Sequence, residues 1–127
     1  MSVESGATVA IVEDDANTRE VFRTILEHKG YGVMEASDGL LGLSLVQDRM
    51  PDLVLLDLGL PGMDGKTVAT RLKADPRTSS VPIIVITAAV QRDTRAWAMA
   101  LGCDEFLEKP VELRVLTDAV ARCLHAN

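Results

Sequence analysis

Five times along this chain a short run of aliphatic and β-branched residues gives way to a segment with helical spacing, and that alternation restricts the fold more than any other feature. Thr8–Val12, Tyr31–Ala36, Leu53–Leu56, Val81–Ile86 and Asp104–Leu107 read as strands. A helix from Ala16 repeats Val21, Phe22, Ile25 and Leu26 on one side and stops at Gly30. Ser37 and Asp38 cap a second helix that runs to Arg49, in which Gly39 and Gly42 lower propensity. Lys66–Ala74 forms a third, and a fourth extends from about Gln91 to Gly102. A last helix buries Leu113, Leu116, Val120 and Leu124. Strand-helix alternation of this kind demands a parallel sheet with helices on both faces, an α/β doubly wound domain. The 127 residues fit one domain, spanning 1–127, with Met1–Ala7 as a flexible polar tail.

In such a sheet every strand delivers its last residue to the same edge, the edge where open α/β folds place their ligands. Glu13 and Asp14 leave the first strand, Asp57 the third, Thr87 the fourth and Lys109 the fifth. Carboxylates converging there repel one another unless they are protonated, paired or bridged by a cation. Oxygen-only ligands select a hard ion, and few protein ligands with room for water suit Mg²⁺. Asp57 beside such an ion is placed to attack phosphorus and form an aspartyl phosphate, with Lys109 and Thr87 holding the remaining phosphoryl oxygens.

A net charge of −6 without a basic stripe argues against nucleic-acid binding by this chain, and against a membrane surface. Cys103 and Cys123 lack metal-ligand spacing and read as packing residues in a reducing, cytoplasmic setting.

Glu13-Asp14 after an apolar strand, Asp57 before Leu-Gly-Leu-Pro-Gly-Met-Asp-Gly, Thr87-Ala88, and Gly102-Cys103-Asp104-Glu105-Phe106 leading to Lys109-Pro110 together resemble the response-regulator receiver domain of two-component signalling. The resemblance implies a flavodoxin-like fold with strand order 2-1-3-4-5. It implies phosphorylation on Asp57, by a phosphohistidine on a histidine kinase or histidine phosphotransfer protein. Mg²⁺ is then bound by Asp14, Asp57 and the backbone carbonyl of Gly59, with Glu13 acting through water. Lys109 contacts the phosphoryl group, Thr87 and Phe106 form a switch, and a cis peptide bond precedes Pro110. The resemblance leaves the downstream target unspecified. Gly59 and Ala89 occupy places whose side chains influence dephosphorylation in the family, and neither can orient a water, so self-hydrolysis is expected to be slow.

Two other functions fit the fold class. A small-molecule phosphatase working through an aspartyl phosphate wants a second acid two residues after the nucleophile, where this chain has Gly59. A flavin-binding electron carrier wants a hydroxyl- and glycine-rich phosphate loop after the first strand, where this chain has three acids. Among simpler roles, Asp15 reads as a helix cap, Asp64 as a turn residue before Gly65, and Trp97 as a packing residue. The exposed side of the first helix, Asn17, Arg19, Glu20 and Arg23, is expected to dock the kinase. Phosphorylation is expected to turn the Thr87 hydroxyl towards the site and to open space that Phe106 enters, changing a surface with Arg92 and Arg95.

Overall fold

The computed structural model describes residues 6–125. The alternation folds as β1 (Thr8–Val12), α1 (Ala16–His28), β2 (Gly32–Ala36), α2 (Gly39–Arg49), β3 (Leu53–Leu56), α3 (Gly65–Ala74), β4 (Ile83–Thr87), α4 (Thr94–Leu101), β5 (Glu105–Glu108) and α5 (Leu113–His125). All strand pairs are parallel, in the order β2-β1-β3-β4-β5. The flavodoxin-like arrangement implied by the sequence is therefore the observed one.

Period two along the central strands divides the core between the sheet's faces. Val9, Ile11, Leu53, Leu55, Ile84 and Ile86 pack with Phe22 and Leu26 of α1 and Leu116 and Val120 of α5. Ala10, Val12, Val54, Leu56, Ile83 and Val85 pack with α2, α3 and Ala98 of α4. Cys103 belongs to the second cluster and Cys123 to the first, and both are free. Trp97 is half-buried against the second cluster, with the Lys66 ammonium 5.3 Å from its ring centroid, in agreement with a packing role.

Several boundaries differ from those expected. Val81 and Pro82 precede β4, since Pro82 has no N–H for the ladder and contributes its carbonyl alone, to the Val54 amide at 3.0 Å. The fourth helix begins at Thr94 and not near Gln91, because the Gln91 amide donates to Thr94 Oγ1 at 2.8 Å and closes a turn first. Asp64 does more than turn the chain: its carboxylate caps α3 by accepting from the Thr67 amide at 2.9 Å. Asp15 and Asp38 cap α1 and α2 in the same way. Of the expected tail, residues 1–5 lie outside the described residues, but Ala7 is tied down, its carbonyl accepting from the Gly32 amide at 2.9 Å.

The glycines of α2 are explained by close approach. A Cβ on Gly42 would stand 2.5 Å from Val12 Cγ1, and one on Gly39 1.8 Å from the Met63 carbonyl oxygen. Gly65 does the same for the site itself, since a Cβ there would lie 2.2 Å from the Asp57 carbonyl oxygen. No helix among the described residues is long and apolar enough to cross a membrane.

Candidate functional site

β2 and β3 lie on opposite sides of β1, so the chain reverses its winding direction between β1 and β3. A crevice opens there at the carboxyl edge. Glu13 and Asp14 stand on one wall and Asp57 on the other, with carboxylate oxygens of all three within 4.8 Å of one another. Burial differs sharply: Glu13 is 2% and Asp57 8% exposed, whereas Asp14 faces solvent.

Lys109 answers the repulsion that this cluster creates. Delivered by the end of β5, its ammonium donates to Glu13 Oε1 at 2.6 Å and to Asp57 Oδ2 at 2.9 Å. The peptide bond from Lys109 to Pro110 is cis, as the family resemblance implied. The other oxygen of Asp57 accepts from the Gly59 amide at 3.0 Å and from the Thr87 hydroxyl at 2.8 Å. That hydroxyl is in turn fixed by the Ala89 amide, which donates to it at 2.9 Å. Asp57 is thus a buried carboxylate with donors on both oxygens.

Burial pushes the Asp57 carboxyl upwards most strongly. The Gly59 amide, the Lys109 ammonium and the Thr87 hydroxyl together outweigh it and hold the carboxyl below its ordinary value, so Asp57 is ionised at neutral pH. Glu13 goes the other way, because burial, reinforced by the charge of Asp57, outweighs the help it receives from Lys109 and the Asp15 amide. Burial pulls the Lys109 ammonium down, but hydrogen bonds to Glu13 and Asp57 and their charges raise it above its ordinary value.

The donor set fits a hard divalent cation. Its members are all oxygens, and they are unequal in availability. Both Glu13 oxygens are engaged, one by Lys109 and one by the Asp15 amide at 3.0 Å, while no partner of the Asp14 carboxylate is found among the described residues. Asp57 is engaged on both oxygens as well, so Asp14 is the one acid of the three whose carboxylate has no partner among the described residues.

Every residue at the strand ends singled out in the sequence arrives at this one place: Glu13, Asp14, Asp57, Thr87 and Lys109, with Gly59 beside them. Without a phosphoryl group the Thr87 hydroxyl is bonded to Asp57, and Phe106 is inside at 5% exposure, its ring covered by the Arg95 guanidinium at 4.9 Å. Of the α1 residues expected to dock the kinase, Arg19 and Arg23 are both paired with Glu35. Arg19 Nε donates to Glu35 Oε1 at 3.3 Å and Arg23 Nη1 to Glu35 Oε2 at 2.5 Å, which folds both side chains towards β2. Arg19 also donates from Nη1 to the carbonyls of Glu13 and Asp14, a contact with the acid loop that helical spacing conceals. The one available signal is Glu35, a lone charge in the second strand.

A family model described as the response regulator receiver domain matches residues 9–121. The chain belongs to this family. As a receiver domain it is similar to the phosphate regulon transcriptional regulatory protein PhoB of Pseudomonas aeruginosa, with 40% identity over 111 residues, which cover 87% of this chain and 48% of PhoB. Protein PilH of the same organism is 31% identical over 114 residues, covering 90% of this chain and 94% of PilH. This receiver chain thus spans about half the length of relatives such as PhoB and nearly all of PilH. Among solved structures, a putative response regulator from Chloroflexus aurantiacus matches with a TM-score of 0.86 and 31% identity, covering 93% of this chain and 97% of that one. A CheY-like receiver domain protein from Methanospirillum hungatei matches with a TM-score of 0.88 and 25% identity, covering 93% of each chain. Receiver domains are phosphoacceptor signalling modules, and the two-component role anticipated above is the one these relatives support.

Proposed function

We propose that Asp57 accepts a phosphoryl group from a phosphohistidine on a histidine kinase or histidine phosphotransfer protein, and that the chain acts as a signalling module rather than as an enzyme that turns over a separate substrate. The observation that carries this reading is the placement of Asp57: buried and held by Lys109, Thr87 and the Gly59 amide at the carboxyl edge of the sheet. A carboxylate oxygen forms the new bond to phosphorus while the bond from phosphorus to the imidazole nitrogen breaks, and the nitrogen keeps the electron pair. The Lys109 ammonium and the Thr87 hydroxyl then hold phosphoryl oxygens in place of Asp57. Asp14, Asp57 and the Gly59 carbonyl would hold Mg²⁺, with Glu13 acting through water. The ion supplies neutralisation of phosphoryl charge. Gly59 in the place of a second acid disfavours a phosphatase, and the acid loop after β1 disfavours a flavin phosphate.

The test is incubation with acetyl phosphate and Mg²⁺, read by intact mass. One phosphoryl group per chain is expected, and normal labelling in EDTA would overturn the cation's part. The same sample gives the decay rate. A Cβ on Gly59 would meet only Ala89 Cβ at 3.6 Å and Asp57 Oδ1 at 3.8 Å, so neither residue presents a group to a hydrolytic water. The expected phosphoryl half-life is minutes or longer, and decay within seconds would contradict this.

The docking surface for the donor protein shares Asn17 with the one expected from the sequence and extends over a neighbouring apolar groove. Asn17 and Val21 of α1 line a groove of about 540 Å³ with Pro110, Val111 and Leu113, and Lys109 lies at its edge. Val21 is 46% exposed and Leu113, expected to be buried by the last helix, is 40% exposed because it opens α5 at the rim, so an apolar rim borders the acid crevice while Arg19 and Arg23 point away to Glu35. Val21→Asp combined with Leu113→Glu is expected to slow transfer from a phosphohistidine donor about tenfold or more, the effect of burying charge at an apolar contact. Labelling by acetyl phosphate is expected to be unchanged. Equal losses with both donors would place the damage in the site.

A further inference from the structure

We infer that Arg19, oriented by Glu35, is a positioning residue that fixes the acid loop and thereby sets the cation affinity of the crevice. Arg19 Nη1 donates to the carbonyls of Glu13 at 2.9 Å and Asp14 at 3.2 Å, while its Nε donates to Glu35 Oε1 at 3.3 Å. Arg23 takes the second oxygen of Glu35, so that carboxylate is clamped from both sides and the plane of the Arg19 fork is set. On the same flank the Glu13 amide donates to the Ala36 carbonyl at 3.0 Å.

Backbone support matters here because the side chains are held unequally. Glu13 is anchored through its own carboxylate, by Lys109 and the Asp15 amide. Asp14 has no such anchor among the described residues, so its aim at Asp57 is inherited from the backbone that Arg19 holds. A guanidinium can serve two carbonyls and a carboxylate at once, whereas a lysine ammonium offers a point charge without the fork. Partners behind metal ligands commonly govern affinity in this way.

The inference rests on the Mg²⁺ reading of the site and goes against simple electrostatics, which makes it testable by sign. Arg19 is a cation beside a cation site, so charge alone predicts that Arg19→Met tightens Mg²⁺ binding. The brace predicts that it weakens binding about tenfold in calorimetric titration of the intact chain with MgCl₂. Arg19→Lys, which keeps the charge, is expected to be nearly as weak, and Glu35→Gln to lose a few-fold. Adding Glu35→Gln to Arg19→Met should cost nothing further, since both act through one contact. In metal-free protein the amides of Asp14 and Asp15 should exchange faster in Arg19→Met than in wild type. Unchanged or tighter Mg²⁺ binding in Arg19→Met overturns the brace, as does a lower melting temperature with the dissociation constant unmoved. If Arg19→Met does not fold, Arg19→Lys and Glu35→Gln decide by the same titration. If the wild type takes up no Mg²⁺, the metal reading fails by itself, and amide exchange then supports the brace if accelerated and overturns it if not.

Discussion

Asp57→Asn is expected to take up no phosphoryl group from acetyl phosphate and Mg²⁺, or from a phosphohistidine donor, at any time when the wild type is fully labelled. The amide oxygen of asparagine can still accept from the Gly59 amide and the Thr87 hydroxyl, so the loop after β3 keeps its supports. What disappears is the anionic nucleophile, together with the charge facing Lys109. Loss of labelling in a folded variant therefore isolates the chemistry from the architecture. Intact-mass spectrometry with circular dichroism on the same sample checks both. A phosphoryl group that persists in Asp57→Asn would move the acceptor elsewhere, and Asp14 would be the next residue to replace.

Lys109→Met is expected to destabilise the metal-free fold by about 3 kcal/mol, because removing the cation strands two buried carboxylates against each other. Glu13 and Asp57 side chains are 3% and 9% exposed, and water cannot take over the role of the ammonium. The gain in stability on acidification should steepen. In the wild type the Asp57 carboxyl is held below its ordinary value, so its stabilisation is present above the unfolded value of about 3.9 and is lost as pH falls through the folded one. Glu13, held above its ordinary value, opposes this: it favours the fold at low pH, and that contribution is lost as pH rises through its folded value. Without Lys109 both carboxyls are raised by burial and by each other, so acidification from pH 7 towards pH ~4 should strengthen the variant relative to wild type. Mg²⁺ should also recover part of the loss, ~2.7 kcal/mol at a hundredfold excess over its dissociation constant. Denaturant melts at three pH values, with and without the ion, measure all of this. A gap that stays constant with pH would show that Lys109 acts through its stem and not through its charge.

Much of the molecule is legible in its sequence. Each apolar run is long enough, and each breaker sharp enough, for β1 to β5 to be located to within a residue or two. Because all crossovers are helical, a parallel sheet follows, and parallel strands send their last residues to one edge; Glu13, Asp57, Thr87 and Lys109 were gathered by that rule alone. The start of α4 was less legible, since the Gln91–Thr94 turn depends on one hydroxyl whose direction spacing does not encode.

Partner choice was decided by tertiary structure. Lys109 meets Asp57 and Glu13 across 52 and 96 residues, and nothing local to any of the three specifies that one ammonium bridges both. Arg19 looked like a surface residue of an amphipathic helix, yet the roll of α1 against β1 and β2 brings it under the acid loop, where Glu35 fixes it. The orientation of Thr87, the buried position of Phe106 and the close contacts that forbid a side chain at Gly39, Gly42 and Gly65 belong to the same class. Periodicity sets the phase of a residue relative to its own element, so the sequence by itself determined which residues reach the edge and which enter the core. Contacts between elements depend on register, helix roll and packing summed over the whole core, and these settle only when every element is in place.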